Sequence, residues 1–473
     1  MQSFIEKELG SKQIISTAAL MRAGSNRQYY RIVTKAGSYI ACENSNINEN
    51  ESFFYFSHFF YQKNIPVPQV FYISEDRTKY ILNDLGHITL LDLIIQEGHS
   101  EKVYELYQGI LQKLAEMQIK ASADIDYGKC FAAKQFDAQM ALADLNYFKY
   151  YFLDFQKIDY DKQALQQELD NLSHAVGNIE ELFFMFRDFQ GRNIMIQENR
   201  CYFIDFQGGM KGPLQYDVAS LLWQAKAELP LAWKNDLYAY YKSEVKQYIG
   251  IDEVKFDRQY SYLLLVRLLQ VLGAYGLRGL IERRPHFLSS IPHGLQNIAT
   301  WLKLYNLNDY PILHSLLQII THVNLIESYQ IPQANGNTKL KVLVQSFSYK
   351  IGGIPKDESD NGGGFVFDCR GVLNPGRFEE YKKLTGRDAP VIEFLETKTK
   401  VHDFLQGVKQ VIDISIEDYL QRGFDSLMIS FGCTGGQHRS VYCADVIATY
   451  LQEKYHLQVE VKHVRQEEKA WVN

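Results

Sequence analysis

Two carboxylates and an amide in the middle of this 473-residue chain stand at spacings that suit phosphoryl chemistry. They fall in Phe186-Arg187-Asp188-Phe189-Gln190-Gly191-Arg192-Asn193 and then in Ile204-Asp205-Phe206-Gln207-Gly208. A carboxylate at Asp188 can take the proton of an attacking hydroxyl. Oxygens of Asn193 and Asp205 can hold Mg²⁺, which neutralises phosphate oxygens during transfer. Two strand-like pieces, Ile194–Ile196 and Tyr202–Ile204, lie between the two ligands and would form a hairpin that brings both to one metal. Each residue alone reads as a turn or cap residue. It is their order, between strand signals, that points to chemistry.

A second string, Phe431-Gly432-Cys433-Thr434-Gly435-Gly436-Gln437-His438-Arg439-Ser440-Val441-Tyr442, follows an apolar strand and opens a helix. Its glycines let backbone N–H groups turn toward an anion at the helix N-terminus, and Arg439 adds a planar, bidentate donor. Ser346, Asp368 with Arg370, Gly432–Arg439, and His463 with Arg465 all fall at or just past the ends of expected strands. In open parallel sheets ligands bind outside those carboxyl ends. These ends therefore predict a pocket for a small phosphorylated ligand, drawing on Asp368, Arg370, Cys433, Thr434, Gly435, Gly436, His438 and Arg439. The same string has the Cys433-x5-Arg439-Ser440 spacing of a cysteine-dependent phosphatase loop, with Asp368 as a general acid. Gly432 stands where such enzymes usually carry His.

Three textures position these groups. Residues 12–85 read as short β runs, with Tyr29–Val33 and Ser38–Glu43 flanking the turn Lys35-Ala36-Gly37. Residues 100–175 and 210–328 carry apolar residues at helical spacing, as in Leu263-Leu264-Leu265-Val266-Arg267-Leu268-Leu269. Around Gln330–Thr338 periodicity stops, which predicts a linker over 330–339. Beyond it strands at Lys341–Ser346, Phe365–Asp368, Ser426–Phe431 and Val459–Val464 alternate with helices at Val401–Gln421 and Ser440–Lys454, predicting a mostly parallel α/β domain.

The length predicts more than one core, and 46% hydrophobic with 22% charged residues is ordinary for a globular protein. A net charge of −6 gives no broad attraction to nucleic acid. The six cysteines form no C-x-x-C pair, against a zinc ribbon. The start lacks signal-peptide features, and no uninterrupted apolar run approaches the ~20 residues that span a bilayer. A cytoplasmic protein without a membrane partner is expected.

The Arg187-Asp188…Asn193…Asp205-Phe206-Gln207 pattern has the spacing of the kinase catalytic loop and its DFG-like turn. It resembles the aminoglycoside phosphotransferase and choline kinase superfamily over residues 12–325, and within it the bacterial cell-wall amino-sugar kinases (AmgK-like). Gly212-Pro213-Leu214-Gln215-Tyr216-Asp217 and Leu272-Gly273-Ala274 resemble further segments of that branch. The resemblance implies a protein-kinase-like two-lobed α+β domain over 1–329, with an N-lobe at 12–85 and a C-lobe at 86–329. It also implies ATP, Mg²⁺ and transfer to the anomeric hydroxyl of N-acetylmuramate or N-acetylglucosamine. Asp188 would be the base, Asn193 and Asp205 the metal ligands, and Gly24, Ser25 and Asn26 the phosphate-covering loop. Asn83 and Leu85 would lie at the adenine hinge, binding through backbone groups. Asp217 would hold the catalytic loop or cap a helix. The strand Tyr39–Glu43 has no lysine where kinases place their phosphate-binding one, and Cys42 falls near that spot. Either another cation meets the phosphates or catalysis is weaker.

The Gly432–Tyr442 string, with Ser346–Lys350, Phe365–Arg370, Asn374-Pro375 and Leu384-Thr385-Gly386, closely resembles the C-terminal domain of the RapZ family over 341–466. That implies a smaller α/β domain at 340–473 that binds glucosamine 6-phosphate, with Lys350, Thr434, Gly435 and Arg439 on the sugar phosphate. The family also presents a small RNA to a ribonuclease. Here Gly376-Arg377 replaces the family's histidine after Asn-Pro, the ending is not basic, and the family's P-loop domain gives way to the kinase-like region. These departures weigh against RNA as a partner. The reading is a bifunctional chain, a sugar kinase joined to a sugar-phosphate-binding regulatory domain. Against it stand a non-catalytic nucleotide or sugar-phosphate sensor, an antibiotic-modifying kinase, and a phosphatase in the second domain. Oligomeric state is left open.

Overall fold

Alternating apolar residues in the first lobe build an antiparallel sheet in the computed structural model, which describes residues 1–20, 27–330, 332–359 and 364–468. Its strands are β1 (Ile14–Ala19), β2 (Gln28–Thr34), β3 (Gly37–Glu43), β4 (Val70–Ile73) and β5 (Lys79–Asn83), in the order β1-β2-β3-β5-β4. The β2–β3 hairpin turns at Lys35-Ala36 as expected, with Thr34 Oγ1 donating to the Gly37 carbonyl at 2.8 Å. Successive strand residues point to opposite faces. Ile32, Ala41 and Ile81 therefore pack on Phe4 and Ile5 of the helix Gln2–Leu9. Cys42 lies opposite Tyr29 on one side and Tyr80 on the other.

On that second face lies the helix Ile47–Gln62, whose N-cap Asn46 accepts the Glu49 N–H. Phe53, Phe56 and Phe60 recur at helical spacing. Phe53 stacks on Phe206 with ring centroids 5.3 Å apart, and Phe60 meets Phe184 edge-on at 4.9 Å. Ser52 Oγ also donates to the Gln207 carbonyl at 3.0 Å. This aromatic comb ties the helix carrying Glu49 to the turn carrying Asp205.

The rest of this unit is helical apart from β6 (Phe183–Met185) paired with β9 (Met210–Gly212), and the hairpin β7 (Ile194–Gln197) with β8 (Arg200–Phe203). The helix Glu253–Tyr275 runs through its core. Gly273 crosses the helix Ala138–Tyr151 so closely that a Cβ there would lie 2.7 Å from the Phe148 nitrogen. By length and composition the stretch Glu253–Ile281 could cross a bilayer, but 56% of its apolar window is buried inside the protein, the pattern of a core helix.

The chain divides into two compact units, residues 1–276 with 293–323, and residues 277–292 with 324–473. The second holds β10 (Lys341–Ser348), β11 (Gly364–Asp368), β12 (Ser426–Cys433) and β13 (Val459–His463), all parallel, in the order β11-β12-β10-β13. The helices Val401–Arg422 and Arg439–Tyr455 cover the sheet through a core that includes Val342, Val344, Ile412, Ile429, Ile447 and Leu451. Neighbours on opposite sides of β10 follow different crossovers, so the carboxyl ends of β10 and β12 flank a topological switch point. The two fold classes expected from the sequence, a kinase-like α+β lobe pair and a parallel α/β unit, are those observed.

Candidate functional site

In the first unit, Asp188 sits just past β6 on a loop held by Asp217. The Asp217 carboxylate accepts the backbone N–H of Phe186 at 2.7 Å and of Arg187 at 2.9 Å, and the Gln118 side chain at 2.9 Å. Asp217 is thus a loop clamp, and the cap alternative falls away, since the helix Gln215–Leu222 begins after Leu214 with no side-chain cap. Its complete burial pushes the carboxyl up to about 7, against the pull of the two backbone donors. Arg187 takes a left-handed φ of 81°, a conformation that costs free energy outside glycine. Its guanidinium offsets this by binding Asp144 at 2.7 Å and the Tyr216 hydroxyl at 2.8 Å.

The β7–β8 hairpin brings the two expected metal ligands together. Asn193 Nδ2 donates to the Asp188 carbonyl at 2.9 Å and stands 3.5 Å from Asp205 Oδ2. Ile204 N–H donates to the Asn193 carbonyl at 3.0 Å, closing the base of the hairpin. Asp205 is left-handed, with φ 70°, and its other oxygen accepts from Gln207 Nε2 at 2.8 Å. With its amide nitrogen committed, Asn193 keeps its side-chain oxygen for a cation. Among the described residues no group of three His, Cys, Asp or Glu could hold a metal. An amide oxygen beside a carboxylate does suit Mg²⁺, which usually keeps waters and takes further oxygens from substrate phosphates.

Arg267, from the helix Glu253–Tyr275, was not singled out by sequence reasoning for this site. Its Nη2 lies 3.1 Å from Asp188 Oδ1, and its side chain is 3% exposed against 47% for Asp188. The surrounding cleft pushes the Asp188 carboxyl up, but Arg267, Arg187 and Arg192 outweigh it and hold the group below its ordinary value. The signal was present in the sequence. Arg267 is the one charge in the run Leu263–Leu269, and a buried charge requires a partner. Arg27, just before β2, is likewise buried and reaches Glu49 and Asp205.

Gly24, Ser25 and Asn26 lie outside the described residues. Asn83 ends β5, with its side-chain oxygen accepting the Gln69 N–H at 2.8 Å, and Leu85 is buried just beyond. Hinge binding would thus fall to backbone groups there.

In the second unit, Cys433 ends β12 and is 3% exposed. Its sulfur lies 3.2 Å from both the Gly436 N–H and Ser440 Oγ. Burial raises the thiol, yet the Ser440 hydroxyl and backbone, the Arg439 guanidinium and the Gln437 N–H together hold it below its ordinary value. Gly436 has φ 66°, and a Cβ there would lie 2.7 Å from Arg465 Cγ. A Cβ on Gly435 meets nothing within 4 Å, so the loop is open at that point. Arg439 Nη1 donates to the carbonyls of Arg370 at 3.0 Å and Val372 at 2.8 Å, with Nη2 3.4 Å from Thr434 Oγ1.

Beside this loop Arg370 forks onto Asp368 and lies 4.0 Å over the Tyr349 ring. Lys350 stands exposed on the turn after β10. His438 points elsewhere, with Nε2 2.9 Å from the Tyr381 carbonyl. Ser346 and His463 meet at 2.8 Å, and His463 continues to Asp445 at 3.0 Å. The structure thus gathers Cys433, Thr434, Gly435, Gly436 and Arg439 in one loop, with Asp368 and Arg370 as its rim, and turns His438 aside.

Residues 20–255 match the model of the phosphotransferase enzyme family, and residues 340–467 match the RapZ C-terminal domain. The chain therefore carries one region that matches the phosphotransferase enzyme family and one that matches the RapZ C-terminal domain, as the motifs implied. A nucleotide-binding protein of Thermosipho africanus is 32% identical over 162 residues, which are 34% of this chain and 50% of that protein. One from Haemophilus influenzae is 38% identical over 122 residues, 26% of this chain and 41% of that protein. The chain spans about half the length of the curated relatives it matches. Among solved structures, a thermostable aminoglycoside phosphotransferase in its apo form is 17% identical with a TM-score of 0.45, covering 64% of this chain and 99% of that one.

Proposed function

We propose that the first unit is an ATP-dependent kinase that phosphorylates a sugar hydroxyl, the anomeric one of an N-acetylated amino sugar. The second unit, in this reading, binds a phosphorylated amino sugar. One observation carries the kinase reading: Asp188, Asn193 and Asp205 stand together at the base of the β7–β8 hairpin, with Arg267 3.1 Å from the Asp188 carboxylate. The acceptor hydroxyl oxygen forms a bond to the γ-phosphorus as the bond from that phosphorus to the β-phosphate oxygen breaks. The hydroxyl proton passes to Asp188, and ADP leaves. Asn193 and Asp205 would hold Mg²⁺, which supplies charge neutralisation at the phosphates. The choice of acceptor rests on the amino-sugar branch resemblance of the motifs.

The test is ATP consumption by the full chain across amino sugars, their phosphates, choline and aminoglycosides. Fastest turnover is expected with N-acetylglucosamine or N-acetylmuramate, and NMR of the product should place the phosphate on C1. Asp188→Asn should lower kcat by about 10²–10⁴-fold, typical of general-base loss, while MgATP still binds. Near-wild-type turnover in that variant refutes the base assignment, and faster reaction with aminoglycosides refutes the acceptor class.

A further inference from the structure

We infer that Arg27 is the cation that meets the nucleotide phosphates, supplied from the mouth of β2 in place of the lysine that β3 lacks. The inference rests on the kinase reading of the cleft. On β3 the relevant position is Cys42, completely buried between Tyr29 and Tyr80, so that strand delivers no charge to the site. A cysteine is also several atoms shorter than lysine. Arg27 lies just before the adjacent strand β2, with only 6% of its side chain exposed.

Its contacts place the charge. One terminal nitrogen donates to Glu49 on the helix Ile47–Gln62, and the other lies 3.7 Å from Asp205 Oδ1. Glu49 is itself fixed, its second oxygen accepting Asn44 Nδ2 at 3.0 Å. In kinases of this architecture a strand cation paired with a helix glutamate holds the phosphates next to the metal-binding aspartate. Arg27, Glu49 and Asp205 form that same triangle with the cation drawn from the residue just before β2. Arginine is suited to the longer route. Its planar fork can keep one nitrogen on Glu49 while another faces a phosphate oxygen, and it stays charged when buried. The Asp205 oxygen nearest the guanidinium already accepts from Gln207 Nε2, and the Asp205 side chain is half-exposed, so a phosphate brought beside Asp205 would also meet Arg27.

The test uses the full chain and three variants: Arg27→Met, Arg27→Lys, and Arg27→Met combined with Cys42→Lys, which returns the cation to β3. Calorimetry measures MgADP and adenosine binding, steady-state kinetics measure ATP use with N-acetylglucosamine, and circular dichroism checks folding. Arg27→Met should lower kcat/KM for ATP by about 10²–10³-fold, the scale for losing one preorganised charge donor, and weaken MgADP while leaving adenosine within about twofold. Arg27→Lys should retain more activity than the methionine variant, and the relocated lysine should recover at least about tenfold of the loss. A folded Arg27→Met with wild-type ATP kinetics overturns the inference alone. So does a loss of adenosine binding equal to the loss of MgADP, since it marks a structural role. A wild-type chain that neither binds nor consumes MgATP overturns the kinase reading, and this inference with it.

Discussion

Replacing Arg267 by methionine should move the acid limb of the kinase reaction, and the structure sets both sign and size. The substitution keeps the length and apolar stem of a side chain buried in the helix Glu253–Tyr275 but removes the guanidinium 3.1 Å from Asp188. At that separation and an effective dielectric of about 20, the attraction is on the order of 5 kcal/mol. Asp188 is 47% exposed, so water screens most of it and about 1–2 kcal/mol remains. That corresponds to roughly one pH unit. Asp188 is held below its ordinary value in the wild type, so its base form persists to acid pH, and the limb of kcat/KM should lie on the acid side of an ordinary carboxylate's. Without Arg267 the cleft still raises the carboxyl while only Arg187 and Arg192 oppose it, so the limb should climb about one unit. The same group contributes stability that is present above its unfolded pKa of about 4 and is lost as pH falls through the lower folded value. The variant should therefore also lose less stability over that acid interval. The assay is the initial rate of ADP release with N-acetylglucosamine at constant ionic strength, with Arg267→Lys as the charge-conserving control. Superimposable limbs for wild type and Arg267→Met would refute the idea that this ion pair sets the ionisation of Asp188.

In the second unit, Gly432→Ala should destabilise by about 1–3 kcal/mol, because its Cβ would lie 2.4 Å from ring atoms of both Phe347 and Tyr349; urea unfolding of the full chain measures it. Arg439→Ala should weaken glucosamine 6-phosphate binding by about 1.5–3 kcal/mol, the scale of hydrogen bonds to charged groups. Cys433→Ser should leave that affinity nearly unchanged, and calorimetry decides both. Hydrolysis of an aryl phosphate that vanishes in Cys433→Ser would instead support the phosphatase reading.

What the sequence disclosed and what it hid follow from how far each signal reaches. The β2–β3 hairpin was legible because its information is local: alternating side chains on either side of Lys35-Ala36-Gly37. The four parallel strands of the second unit were legible as short apolar runs between helical periods, with ends within two residues of those expected. Asp188, Asn193 and Asp205 were legible as a group because one hairpin carries Asn193 and Asp205 at its base and the loop just before it carries Asp188. Arg27 and Arg267 were not assigned, since their partners Glu49 and Asp188 lie 22 and 79 residues away and only packing brings them near. Asp217 shows the intermediate case. An aspartate near a helix start fits a cap and a clamp equally well until the Phe186 and Arg187 N–H groups are seen to point at it.

The geometry of the second loop bears on whether it cradles an anion or attacks one. An attacking thiolate needs an open approach, an arginine free to follow the phosphoryl group, and an acid ready to protonate the leaving oxygen. Cys433 is ionisation-prone, which favours attack, but its sulfur is shielded and already accepts the Gly436 N–H. Arg439 spends Nη1 on two backbone carbonyls of the segment after β11, so it braces that segment and has only its remaining edge to offer a ligand. Asp368 is the wrong species for an acid. The side-chain hydrogen bonds from Arg370 hold its carboxyl below the ordinary range, leaving it ionised at neutral pH with no proton to give. Gly432 lacks the room for the histidine of a phosphatase loop, because the Phe347 and Tyr349 rings occupy it. All three requirements for turnover are thus compromised. The open backbone at Gly435 and the Arg370 rim, by contrast, are what a reversible sugar-phosphate site needs.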